Sequence, residues 1–117
     1  MFLYCTNMTT PPSILPANTL SESCYAFMFF GCTSLTAAPE LPANYLARAC
    51  YNQTFGNCYN LVVPPPSIGE HVGFQGCWYM FNRCYSLTST PALPATSLTF
   101  ACYKGMFSQC SSLVVPP

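Results

Sequence analysis

Aspartate is absent from this sequence, and the other charges are few: three glutamates, three basic residues and a single histidine, His71, in 117 residues. A formal charge of zero provides no electrostatic footprint for nucleic acid or an anionic membrane surface, so neither is expected as a partner. No run of 18 apolar residues occurs, and the opening MFLYCTNM lacks a basic stretch followed by an apolar one. Neither a membrane-inserting helix nor a secretory signal is therefore read, and any export signal is expected outside this chain.

Catalysis by paired carboxylates requires acidic groups brought together, and nucleophilic catalysis requires a base beside the nucleophile. Glu22, Glu40 and Glu70 fall at three different phases of the repeat described next, and His71 has no aspartate to orient it. No enzyme is expected, and no catalytic residue. CxxC pairs are missing as well, so the cysteines do not form a zinc ligand set, and neither metal nor cofactor is expected.

What is present repeats. Phe29, Phe55, Phe81 and Phe107 lie 26 residues apart, and the same step relates Cys32, Cys58, Cys84 and Cys110, then Leu35, Leu61, Leu87 and Leu113, then Pro39, Pro65, Pro91 and Pro117. Four residue types holding one period mark a repeat array, in which each unit buries its apolar face only against its neighbours. The chain reads as a single domain over 1–117 with about 4.5 repeats, and it carries no polar capping repeat at either end. It is expected to be a piece of a longer protein or a subunit whose open ends meet partners. Apolar residues at 51% and charged residues at 5% argue against disorder.

Within a repeat, Leu20, Cys24, Phe27 and Met28 follow an i, i+4, i+7, i+8 apolar stripe, which predicts a short helix entered at Asn18. Gly31 suits its left-handed end, where Asn57, Arg83 and Gln109 stand in the other rungs. The following block, SLTAAP and its counterparts YNLVVP, YSLTST and SSLVVP, reads as a short strand closed by proline. The predicted fold is α/β, a solenoid of 26-residue rungs with one short parallel strand and one short helix each. Glu22 and Arg48 are one period apart and are expected to form an exposed register pair. The third rung departs from the pattern: Cys77 stands one position late, as though an insertion were offset by a deletion.

Nine cysteines divide into two per rung, Cys24/Cys32, Cys50/Cys58, Cys77/Cys84 and Cys102/Cys110, with Cys5 left over. They are open to two readings: bridges within each rung, as in an oxidising exterior, or stacks of reduced thiols acting as small hydrophobes. The candidate binding surface combines Trp78 and Tyr79, aromatics that do not follow the repeat, with the small uncharged column Thr36, Val62, Thr88 and Val114 on the strand face.

The run MFxxCxSLTxxPxLPAxxL, as in Met28 to Leu46, resembles the leucine-rich repeats of the bacterial surface-antigen BspA type, and the likeness extends over nearly the whole chain. The resemblance implies an extracellular or cell-surface protein acting in adhesion and protein binding. Two functions follow as expectations. The first is a protein-binding module of a surface protein that also self-associates. The second is a structural subunit stacking into a homopolymeric fibre, tube or sheath, a habit that very low net charge favours.

Overall fold

The computed structural model describes residues 2–15, 20–93, 95, 97–98 and 103–113. Three two-residue strands, β1 (Tyr45–Leu46), β2 (His71–Val72) and β3 (Ser97–Leu98), form a parallel sheet in the order β1-β2-β3. Tyr45 pairs with His71 and His71 with Ser97, so each step across the sheet is one sequence period. Further parallel bridges join Ile14 to Glu40, Ala37 to Val63, and Ser67 to Ala92.

No helix is present among the described residues. The stretch that the apolar stripe marks as helical is a run of tight turns, and its backbone bonds alternate. Cys24, Ala26, Met28, Phe30 and Cys32 each donate to the carbonyl three residues back. Ser23, Tyr25, Phe27, Phe29 and Gly31 donate instead to Arg48, Cys50, Asn52, Thr54 and Gly56 of the following rung. Half of the N–H groups close turns and the other half zip rung to rung, which satisfies the backbone without a helix.

The turns need left-handed backbone every fourth residue. Ser23, Phe27 and Gly31 have φ of 56°, 58° and 74°, and Ala49, Gln53 and Asn57 repeat the pattern one rung on. Side chains in this region cost on the order of 1–3 kcal/mol each and persist where the surroundings over-determine them. Here the cross-rung bonds do so. The Gly31, Asn57, Arg83 and Gln109 column is left-handed throughout, but it belongs to this turn ladder and ends no helix.

The strands also fall elsewhere than predicted. SLTAAP and YNLVVP contribute only the single Ala37–Val63 bridge, while regular pairing comes eight residues later, at β1 and β2. The proline that closes each block leaves no donor with which to extend the bridge into a ladder.

Same-phase side chains pile into columns. Phe2, Phe29, Phe55, Phe81 and Phe107 stack face on face, with centroids 5.4–5.5 Å apart and ring planes within 12° of parallel. Offset stacks at this separation contribute about 0.5–1.5 kcal/mol per pair beyond their burial. Leu35, Leu61 and Leu87 make a second buried column and Cys32, Cys58 and Cys84 a third. Thr54, the one buried polar residue among those described, stands where its neighbours carry methionine, and its hydroxyl donates to the Tyr25 carbonyl at 2.9 Å.

The third rung holds an insertion offset by a deletion, but ahead of Cys77: Ser67 bridges Ala92 at a step of 25 residues where Ile14–Glu40 and Ala37–Val63 step by 26, and buried Ile68 stands 27 residues after buried Leu41. At Cys77 itself the register is kept. Tyr51 N–H bonds to Gly76 and Gln53 to Trp78 with the same 25-residue offset that relates Tyr25 to Cys50 and Phe27 to Asn52. Gly76 therefore occupies the position of Cys50, and Cys77 that of Tyr51: the residues are exchanged and the register is kept. Glycine at 69 has a separate cause, because a Cβ there would lie 2.5 Å from the Ala43 carbonyl oxygen of the rung before. Only glycine allows that approach.

Candidate interaction surface

The cysteines form no disulfide among the eight that are described, and Cys102 lies outside the described residues. Cys32, Cys58, Cys84 and Cys110 point inward, and each thiol donates to a phenylalanine carbonyl of the preceding rung, those of Phe2, Phe29, Phe55 and Phe81, at 3.0–3.1 Å. The thiols that raise one another's pKa are one rung apart, such as Cys24 with Cys50 and Cys58 with Cys84, and do not share a rung. Among the described residues the within-rung pairs Cys24/Cys32, Cys50/Cys58 and Cys77/Cys84 are unbridged. Burial holds the thiols protonated: those of Cys50 and Cys58 are each pushed up to about 12, chiefly by desolvation. Such thiols are poor nucleophiles. Cys5 and Cys24 are exposed.

Thr36, Val62 and Thr88 stand exposed in one column, and Val114 lies outside the described residues. The next column adds Val63, 54% exposed, and three residues before Val62 and Thr88 stand Tyr59 and Tyr85, whose rings stack at 5.2 Å and 11°. Asn60 fixes the edge of this arc by donating to the Thr33 carbonyl at 2.7 Å. Tyr59, Val62, Thr88 and Tyr85 carry no charge. The tyrosine stack completes the face, and the sequence reading missed it although the two residues are one period apart.

Trp78 and Tyr79 are half-buried on the run of turns, away from this face in the rung, and pack edge to face at 5.3 Å. The Tyr79 ring covers Gly105, where an added Cβ would meet it at 2.5 Å. The indole Nε1 of Trp78 is buried without a hydrogen-bond partner. Tyr79 thus packs on the following rung, and both side chains keep part of their surface exposed.

His71 lies in β2 with its ring stacked on Tyr45 at 4.6 Å and 5°. The two exposed rings border a shallow hollow of about 290 Å³ floored by Leu46 and Val72. Glu22 and Arg48 sit one above the other with Arg48 Nε 3.8 Å from Glu22 Oε1, and the same guanidinium lies 5.1 Å from the centre of the Phe74 ring. Among the described residues no three His, Cys, Asp or Glu side chains come together as a metal site would require. No helix among them is long and apolar enough to cross a membrane.

No known protein family matches this chain, and neither does any curated protein or solved structure.

Proposed function

We propose that this chain is a non-enzymatic protein-binding repeat module, a leucine-rich-repeat solenoid working at a cell surface or in the extracellular space. It holds a protein partner against the uncharged face of Thr36, Val62, Val63, Thr88 and the Tyr59–Tyr85 stack. The observation that carries this reading is the clustering of exposed apolar and aromatic side chains: Tyr59, Val62, Val63 and Tyr85 are 37–54% exposed on neighbouring columns. Patches of this kind mark interaction sites, and tyrosine is prominent among interface hot spots.

The face is also preorganised. The Thr36 carbonyl accepts the Val62 and Val63 N–H groups and the Val63 carbonyl that of Ala38, so docking on this part of the face orders little that was mobile and retains more of the contact energy.

The test is binding of the purified chain to an immobilised array of extracellular proteins, repeated with Val62→Lys and Tyr85→Glu, both at exposed positions. At least a tenfold loss of affinity for a retained protein is expected from each variant. Retention of no protein, or retention unaffected by both variants, overturns the reading.

A further inference from the structure

We infer that Cys24 and Cys50 form a site of thiol–disulfide exchange, whose substrate is a low-molecular-weight disulfide and whose product is a bond joining the first rung to the second. This goes beyond the partner-binding face and uses none of its residues.

The two cysteines are one period apart, and the bonds around them hold that register. Ser23 N–H donates to the Arg48 carbonyl at 2.9 Å and Tyr25 N–H to the carbonyl of Cys50 itself at 3.0 Å. The rings of the next residues along, Tyr25 and Tyr51, stack at 6.0 Å and 6°, and Phe29 stacks on Phe55 at 5.4 Å. A rung step of this size falls within the range of about 4.4–6.8 Å between Cα atoms that a disulfide spans.

Exposure and hydrogen bonding single out this pair. Cys24 is exposed and Cys50 is fully buried, so a dissolved disulfide meets the first thiol, and the second meets only what the first carries. Cys32, Cys58 and Cys84 are all fully buried, and each thiol is held by a phenylalanine carbonyl at 3.0–3.1 Å. The Cys50 thiol is held more loosely: its acceptor, the Gly76 carbonyl, lies 4.0 Å away. Glycine at 76 also interrupts the column, which leaves Cys24 as the cysteine beside Cys50 in it. Cys5, the other exposed thiol, neighbours Cys32, whose thiol is already engaged with the Phe2 carbonyl.

The exchange takes two steps. The Cys24 thiolate attacks one sulfur of the small disulfide, forming a mixed disulfide, and the other half leaves as a thiolate that takes up a proton. Cys50 then gives up its proton and attacks the Cys24 sulfur; the bond between the rungs forms and the second half leaves as a thiol. One small disulfide is reduced to two thiols, and two cysteine thiols are oxidised to one disulfide. Burial pushes both protein thiols up, which slows each attack beside that of a free thiol, but the second step is intramolecular and gains from the fixed register. The bond closes a loop of one period and so constrains the unfolded chain.

The experiment follows a Cys5→Ser chain, in which Cys24 is the one exposed thiol among the described residues, during incubation with oxidised glutathione under native conditions at about pH 8.5. Intact-mass spectrometry is expected to show a transient glutathione adduct giving way to a chain lighter by two hydrogen atoms, and peptide mapping to join Cys24 to Cys50. The chemical-denaturation midpoint is expected to rise with the bond and fall back on addition of dithiothreitol. With Cys50→Ser added, the adduct on Cys24 should persist at least tenfold longer; with Cys24→Ser, Cys50 should stay unmodified. A lasting adduct in the presence of Cys50, a bond at another pair, no bond at all, or modification of Cys50 without Cys24 would each overturn the inference. Circular dichroism checks that the variants fold; should Cys50→Ser fail, Cys50→Ala replaces it, and mapping of the chain that keeps both thiols decides by itself.

Discussion

The thiol of Cys58 donates to the carbonyl oxygen of Phe29 at 3.1 Å, and that same oxygen accepts the N–H of Cys32 in its own rung. One backbone atom thus ties a turn within a rung to a side chain in the next. Cysteine is suited to the position because it is small and apolar and carries a weak donor.

Cys58→Ala removes that donor and leaves a small void beside fully buried Phe55. The expected loss is about 1–2 kcal/mol in chemical denaturation, since the Phe29 carbonyl keeps its backbone partner. Cys24→Ala, at an exposed site, is expected to change stability by less than about 0.5 kcal/mol.

Phe55 is enclosed between Phe29 and Phe81, with no exposed surface. Phe55→Ala should cost about 3–5 kcal/mol, a large share of the roughly 5–15 kcal/mol that small domains possess. Phe2→Ala, at a half-buried end position, should cost distinctly less. Thermal melts of the two variants compare the cost of a central gap with that of a terminal one.

The buried thiols make stability sensitive to alkali. Below the ordinary thiol pKa of 9.0, folded and unfolded chains both hold these protons, and the contribution is constant. As pH rises from 9.0 towards about 12, the unfolded chain releases them while folded Cys50 and Cys58 retain theirs. The native state then binds more protons, so stability falls with pH, by up to about 1.4 kcal/mol per pH unit for each such thiol. Denaturation midpoints should be level from pH 6 to 8 and drop steeply above about 9; a flat profile to pH 11 would contradict the buried, protonated columns.

Arg48 meets both the Glu22 carboxylate and the Phe74 ring. Their ion pair is exposed and worth under about 1 kcal/mol, whereas the contact with Phe74 adds about 0.5–1 kcal/mol. Arg48→Ala should therefore destabilise more than Glu22→Gln. High salt should erase the cost of Glu22→Gln and leave part of that of Arg48→Ala, a difference that melts at two ionic strengths would record.

The period of 26 was legible because the enclosed Phe, Cys and Leu columns need near-identical shapes from rung to rung. The turn ladder was not. Leu20, Cys24, Phe27 and Met28 are spaced as on a helix, but a left-handed residue every fourth position, at Ser23, Phe27 and Gly31, repeats at nearly the same interval. Apolar spacing alone cannot separate 3.6 from 4. Burial can: Phe29 is fully enclosed, Phe27 half so and Cys24 exposed, a pattern foreign to the predicted stripe. The Tyr59–Tyr85 and Tyr45–His71 stacks were open to the same phase comparison that revealed the core. What the phase comparison could not show is that Tyr79 lies over Gly105 of the following rung, since glycine leaves no side chain in its own column to signal the contact.

The alternating backbone bonds also give the coil a mechanical character. Tension applied at its two ends loads the rung junctions in series, while the turns inside each rung are spared until their own junction parts. Extension would then proceed in discrete jumps, each freeing one rung and paying out up to about 90 Å of chain. The molecule would lengthen by counting, and would shorten again by the same steps on release.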